Sequence, residues 1–360
     1  MIAGSIPIQR RRHAKLLVID NNARIVHAPQ SAFADFLRRF DVVVANDAAT
    51  LPASLAGFHE PTGEAIEVRL AGIRSLHGDD MAHFVAIVFG AGDFHTRTER
   101  RPFPPPLRSG DGLVLGPLRA IIERTLDHPR LVELRFEGST RSIWEGISQH
   151  GRPIQYAHVH TPLALWDVWT PIAGAPLAFE PPSAGFILDW KTLASIRTRG
   201  ADFVTITHAA GISSTGDEAL DRRLPFDEPY RIPAVTARAI RRAKNNGGRV
   251  IAIGTTVVRA LEHSALIGGT VRAGAGIATQ RIGANTHLRV VDAVVSGTHE
   301  PGASHYELLR AFIDDATLRR AADELDARDY QTHEFGDSIF VERCLHCAAR
   351  TKHAEPLLAA

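Results

Sequence analysis

The sequence predicts a multidomain α/β protein, an α/β domain with parallel strands carrying an inserted β-barrel-like domain. Three observations point there. A chain of 360 residues holds two domains at roughly 150 residues each, and either can bury a core. From Pro61 to about Gly138, short apolar runs are broken by Gly, Pro and Asp clusters, the texture of successive strands. Beyond Pro182, strand-length apolar runs alternate with runs at helical spacing, as in parallel-sheet units. The expected division is an α/β catalytic domain from residues 1–54 and 156–342, a β-rich insertion from 55–155, and a loosely ordered tail from 343–360.

The elements follow in order. Ser31 as an N-cap with Phe33, Phe36, Leu37 and Phe40 at helical spacing predicts a short amphipathic helix, and residues 42–45 a buried strand. Residues 84–89 and the alternating 131–136 read as strands. Residues 118–126 fit a helix or a strand by spacing, and the Asp127-His128-Pro129 turn favours a hairpin. Trp190, Leu193 and Ile196 predict a helix that Gly200 ends, followed by a strand over 203–206 that finishes at Thr207-His208. Residues 234–244 read as a helix, 250–253 as a strand ending at Gly254-Thr255-Thr256, and Val258, Leu261 and Leu266 as the next helix. A last strand over 288–295 ends at Ser296-Gly297-Thr298-His299, with Leu308, Leu309 and Phe312 on the helix after it. In open parallel sheets ligands bind outside the carboxyl ends of the strands. His208, Thr255, Thr256 and His299 are therefore expected on one rim.

Composition narrows the function only slightly. Hydrophobic residues at 44% and charged residues at 22% describe a soluble globular chain. Lys+Arg 41 against Asp+Glu 40 leaves +1, which does not advertise nucleic-acid binding, although a local patch such as residues 10–12 can hide inside it. No apolar run approaches the length of a membrane span. The start of the chain lacks the pattern of a secretory signal, so the cytoplasm is the expected compartment. The two cysteines, Cys344 and Cys347, are too close together to build a disulfide framework.

Gly254-Thr255-Thr256-Val257-Val258-Arg259 opens a helix at a strand end, so its amides and hydroxyls suit an anion or sugar hydroxyls; the alternative is a plain turn with Thr as cap. Arg259 can aim at a carboxylate or form a surface ion pair. His208 and His299 are placed to move protons near neutral pH, or are satisfied structural histidines. Glu228 is a candidate base or a solvated loop carboxylate. Cys344-Leu345-His346-Cys347 with His353 has zinc-type residues but lacks a second paired half, and no metal site is expected. The glycines from Gly268 to Gly276 match neither nucleotide fingerprint and read as a loop.

The run Gly247-Gly248-Arg249 through Gly254-Thr255-Thr256-Val257-Val258-Arg259-Ala260-Leu261-Glu262 closely resembles a block of the S-adenosylmethionine:tRNA ribosyltransferase-isomerases of queuosine biosynthesis. Pro182-Ser183-Ala184-Gly185, His208, Glu228 with Tyr230, His299 with Pro301, and Tyr330 with Gly336-Asp337 resemble further family motifs; Lys15-Leu16-Leu17-Val18, Asn46-Asp47 and Gly110-Asp111 fit more loosely. The resemblance reaches to about Phe340. It implies transfer of the ribosyl part of S-adenosylmethionine to a 7-aminomethyl-7-deazaguanine base in tRNA and rearrangement to an epoxycyclopentane, with adenine and methionine released. It implies S-adenosylmethionine as co-substrate, no separate cofactor and tRNA as a possible partner; the oligomeric state is left open, with a monomer favoured.

The implied catalytic residues are His208, Glu228 and His299, with Ser183, Gly185, Gly254, Thr255, Thr256 and Arg259 holding the donor. This chain departs from the family at Phe186-Ile187-Leu188, where the family has Leu-His-Phe, at Pro225-Phe226 in place of Met-His, and at Gly297-Thr298 in place of Asn-Phe. A diverged paralogue is therefore expected. The alternatives are a related enzyme acting on a small nucleobase-like acceptor, and a non-catalytic RNA- or nucleoside-binding descendant.

Overall fold

The computed structural model describes residues 2–7, 11, 13–77 and 81–344. Nine strands form the main sheet in the order Gly274–Ala278, Glu228–Ile232, Asp202–His208, Val42–Asn46, Val250–Ile253, Ala293–Gly297, Ser338–Glu342, Lys15–Ile19 and Ile25–Pro29. The four at its centre, from Asp202–His208 to Ala293–Gly297, are mutually parallel. Their side chains are apolar on both faces because helices and turns cover both: Val42, Val44, Val250 and Ala252 pack towards the helices Ala234–Asn245 and Thr255–Ser264, while Val43, Ala45, Ile251 and Ile253 pack towards Phe33, Leu188 and Ile196.

A six-stranded closed barrel interrupts this domain. Its strands, Leu118–Thr125, Leu131–Phe136, His83–Phe89, Ala65–Gly72, Ser54–His59 and Gly112–Leu115, pair antiparallel around the ring, which leaves no free edge. Residues 118–125 are thus a hairpin strand. Phe179, Ala209, Ile212 and Leu224 of the α/β domain join the barrel's apolar cluster, so the loops after the central strands are pressed against the barrel.

Several expectations are corrected. The segment after Ser31 is a 3-10 turn, Gln30–Phe36, with no side-chain cap; Phe33 and Leu37 are buried and Phe40 is exposed at positive φ. The last strand is Ala293–Gly297, starting later than the apolar pattern suggests. The amides of Arg289, Val290 and Val291 instead donate to the Glu262 carboxylate at 2.7, 2.9 and 2.8 Å, and a backbone bonded to a side chain has no donors left there for a ladder. Trp190 opens the helix Trp190–Thr198 but lies 78% exposed, outside its buried stripe. Leu266 and Phe312 fall beyond the ends of their helices, Thr255–Ser264 and Ser304–Leu309. Part of the glycine-rich stretch is an edge strand, Gly274–Ala278. Of the expected tail, only Arg343 and Cys344 fall within the described residues, as does only Arg11 of the basic patch 10–12.

Candidate active site

A cavity of about 340 Å³ opens where the central strands end, between the rim and the loops against the barrel; Glu180, Ser183, Glu228, Gly254, Thr256 and His299 are among its walls, with Thr255 and Arg259. The Val250–Ile253 strand turns into the helix Thr255–Ser264 through Gly254, whose φ of 101° excludes most side chains. Gly254 is the N-cap and no side chain caps the helix. Thr255 and Thr256 occupy the first turn instead, so the first amides point at the cavity without an intrahelical acceptor. That disposes of Thr as a cap.

Glu228 is held on both carboxylate oxygens. Its Oε1 accepts from the Gly211 amide at 2.6 Å, while Oε2 takes the His208 Nε2 at 3.0 Å and an ion pair with Arg259 Nη1. Burial would raise its pKa, yet the Arg259 charge and the bonds from His208 and Gly211 hold it below the ordinary carboxylate value. Arg259 also donates to the carbonyls of Ala278, Phe226 and Gln280 at 2.8, 3.1 and 3.2 Å. Four of its five donors are thereby committed within the protein, so most of the guanidinium is spent on holding Glu228 and the neighbouring carbonyls.

His208 is fully buried behind this wall and does not line the cavity. Its Nδ1 meets the Thr256 carbonyl at 2.8 Å and its Nε2 meets Glu228, so both bonds form only when both nitrogens carry hydrogen. Asn46 fixes it from below, donating to the His208 carbonyl and accepting its amide, each at 2.9 Å. His208 ties the end of one strand to the start of the Thr255–Ser264 helix. It is held as a clamp between these elements, set back from the cavity. Glu228 is likewise an anchored anion. Gly185 is also off the cavity wall: a Cβ there would sit 2.9 Å from Thr170 Cγ2, so its smallness serves packing.

His299 does reach the cavity. Its ring stacks on His305, with centroids 4.1 Å apart, and meets His333 edge-on at 6.4 Å. Burial, with the neighbouring His305 and His333, pushes its pKa well below the ordinary histidine value, so it is a neutral imidazole at pH 7. A second cavity of about 780 Å³ shares His299 and His305 and continues past His158 and Glu334. No group of three or more His, Cys, Asp or Glu side chains is arranged to hold a metal among the described residues. Cys344 takes part in a disulfide; Cys347 and His353 of the zinc-type segment lie outside the described residues.

One wall residue was missed from sequence. Glu180 is 5% exposed, accepts from the Ser213 amide at 2.9 Å through Oε2, and meets the Tyr156 hydroxyl through Oε1. That hydroxyl also faces the Ser214 carbonyl at 2.9 Å. The Tyr156 hydroxyl donates towards both oxygens and has one hydrogen to share between them. Burial, followed by the nearby Glu334 charge, raises Glu180 to about 7 against the lowering effect of the bonds from Ser213 and Tyr156. In the sequence Glu180 is an unremarkable loop carboxylate before two prolines; only the lack of any cation nearby in the chain hinted at it.

Residues 1–341 match the family described as "Queuosine biosynthesis protein". The chain belongs to that family. Its relatives include proteins named S-adenosylmethionine:tRNA ribosyltransferase-isomerase from Citrifermentans bemidjiense, 30% identical over 93% of this chain and 94% of that one, and from Sorangium cellulosum, 31% identical over 94% and 95%. A solved structure titled S-adenosylmethionine tRNA ribosyltransferase, from Thermotoga maritima, covers 94% of this chain and 96% of its own at 20% identity, with a TM-score of 0.49. Against this family background the departures have a location. Ile187 packs into the sheet's apolar cluster and Phe226 into the barrel's, and neither side chain lines the 340 Å³ cavity.

Proposed function

We propose that this chain is a ribosyltransferase-isomerase that takes the ribosyl part of S-adenosylmethionine and passes it to a 7-deazaguanine base in tRNA, as a diverged paralogue of its named relatives. The reaction removes a proton from the carbon beside the sulfonium and delivers one to the departing adenine. It therefore needs a neutral base and a neutral acid facing one dry pocket. The observation that carries the reading is that the cavity wall holds both: His299, kept neutral by burial and its imidazole neighbours, and Glu180, buried beside Tyr156 and raised to about 7. Environments that push two groups apart in this way assign the roles. His299 takes the proton beside the sulfonium, and Glu180 protonates adenine as its bond to the sugar breaks. Ser183, Thr255 and Thr256 hold the donor's hydroxyls and carboxylate against the open amides of the helix start.

Glu228, Arg259 and His208 keep these parts in register. They fix the loop through Gly211 and the helix through Thr256, so a ligand meets walls already in place. Incubating the protein with S-adenosylmethionine and either bulk tRNA or free deazapurines, with adenine detected by mass spectrometry, tests the reading. Adenine released only with tRNA is the expected result. Release with a free deazapurine alone would assign a small acceptor, and tRNA binding without any release would leave a binding protein.

A further inference from the structure

On the other side of the Ser183–Ile187 turn from the donor cavity lies an open cleft of about 1100 Å³. Ser183 and Ala184 face the cavity, whereas Phe186 and Ile187 face the cleft. Of the chain's 4 tryptophans, three line it, Trp166, Trp169 and Trp190, and they are 72%, 40% and 78% exposed. Large aromatic rings grouped on one open face are characteristic of an interaction surface. The rings are held in place. Asp189 caps its helix through the Thr192 amide at 2.6 Å and fixes the turn that carries Trp190, and the Trp169 indole donates to the Thr50 carbonyl at 2.9 Å. Arg11, Lys15 and Arg328 border the same cleft, where Asp189 is the one acid among the described lining residues; Arg11 pairs with Asp337 at 2.7 Å and Arg328 with Glu324 at 3.2 Å. Lys15 Nζ bonds only to carbonyls, those of Arg328 and Asp329, so its charge is not neutralised.

We propose that this cleft docks an unpaired segment of RNA, with bases stacked on Trp166 and Trp190 and phosphates facing Lys15 and Arg328. Indole faces accept any base, cations follow the backbone, and the combination is that of single-strand binding surfaces. The inference rests on the reading of tRNA as acceptor, and it places the acceptor strand one turn of chain away from the donor.

The test is fluorescence titration of the full chain with a single-stranded RNA of about twelve nucleotides, alongside a duplex of equal length. The single strand is expected to quench tryptophan emission and to bind more tightly than the duplex. The double variant Trp166→Ala/Trp190→Ala is expected to lose about ten-fold or more in affinity, and Trp→Phe at both sites to keep most of it. Arg328→Gln is expected to lower the slope of log affinity against log salt by about one. S-adenosylmethionine affinity stays unchanged throughout, since neither ring lines the donor cavity. Equal RNA affinity in the double variant overturns the inference, and so does a change confined to self-association in sedimentation, which would make the face a contact between copies. Adenine release that needs tRNA but ignores the double variant overturns this inference alone. Release without tRNA, together with tryptophan-dependent strand binding, overturns the acceptor reading alone.

Discussion

Two glutamates lining one cavity are equally buried, each 5% exposed, and their pKa values move in opposite directions. Glu228 faces Arg259, His208 and a backbone amide and stays an anion. Glu180 faces a phenol and another carboxylate, has no ion pair of its own among the described residues, and is raised to about 7. Burial is common to both; the neighbours decide the sign. The lesson extends to roles, because the anchored anion is scaffold and the neutral acid is available for chemistry.

The contrast can be broken at each end. Glu180→Gln keeps the shape and removes the acid, and adenine release is expected to fall by about 10²–10⁴-fold with S-adenosylmethionine affinity little changed; a single-turnover assay beside calorimetry separates the two, and an unaltered rate would remove Glu180 from the chemistry. Arg259→Met leaves Glu228 buried without its cation, and a loss of about 3–5 kcal/mol in denaturant unfolding is expected. A loss under about 1 kcal/mol would mean that the pair acts like an exposed one.

Smaller effects sharpen the comparison. Glu180 has a folded pKa raised from 4.5 to about 7, so its contribution to stability is complete below about pH 4.5 and is lost as pH rises through about 7, amounting to at most about 3 kcal/mol. Glu228, with its folded pKa lowered, contributes in the opposite sense: stability present above the ordinary carboxylate value is lost as acid titrates it. Stability should therefore fall less between about pH 4.5 and about pH 7 in Glu180→Gln, and an unchanged profile would contradict the assignment. Thr256→Val is expected to weaken donor binding by about 0.5–2 kcal/mol through its lost hydroxyl. An equal dissociation constant by calorimetry would place that hydroxyl off the ligand.

The rim was legible because it depends on local chemistry. A glycine at positive φ between an apolar strand and a threonine-led helix is written in consecutive residues, and so is the alternation of the barrel strands. What stayed hidden depends on distant partners. His208 and Glu228 suggest acid–base chemistry in the sequence, and their bonds to the Thr256 carbonyl and Arg259 are visible only in the fold. Glu180 drew no attention because its state is set by Tyr156 and Glu334 across the fold. The late start of the Ala293–Gly297 strand has the same origin, since Glu262 takes amides that the apolar pattern alone assigns to a ladder. Trp190 fits a helical stripe by spacing, yet its place at the first turn turns it outward into the cleft.

The proton on Glu180 can be observed without turnover. An infrared difference spectrum between about pH 5 and about pH 9, wild type against Glu180→Gln, should contain a protonated-carboxyl band that titrates near 7 and is missing in the variant. If Glu180 is ionised throughout that range, the cavity has no neutral acid on this wall, and the division of labour between the two glutamates fails.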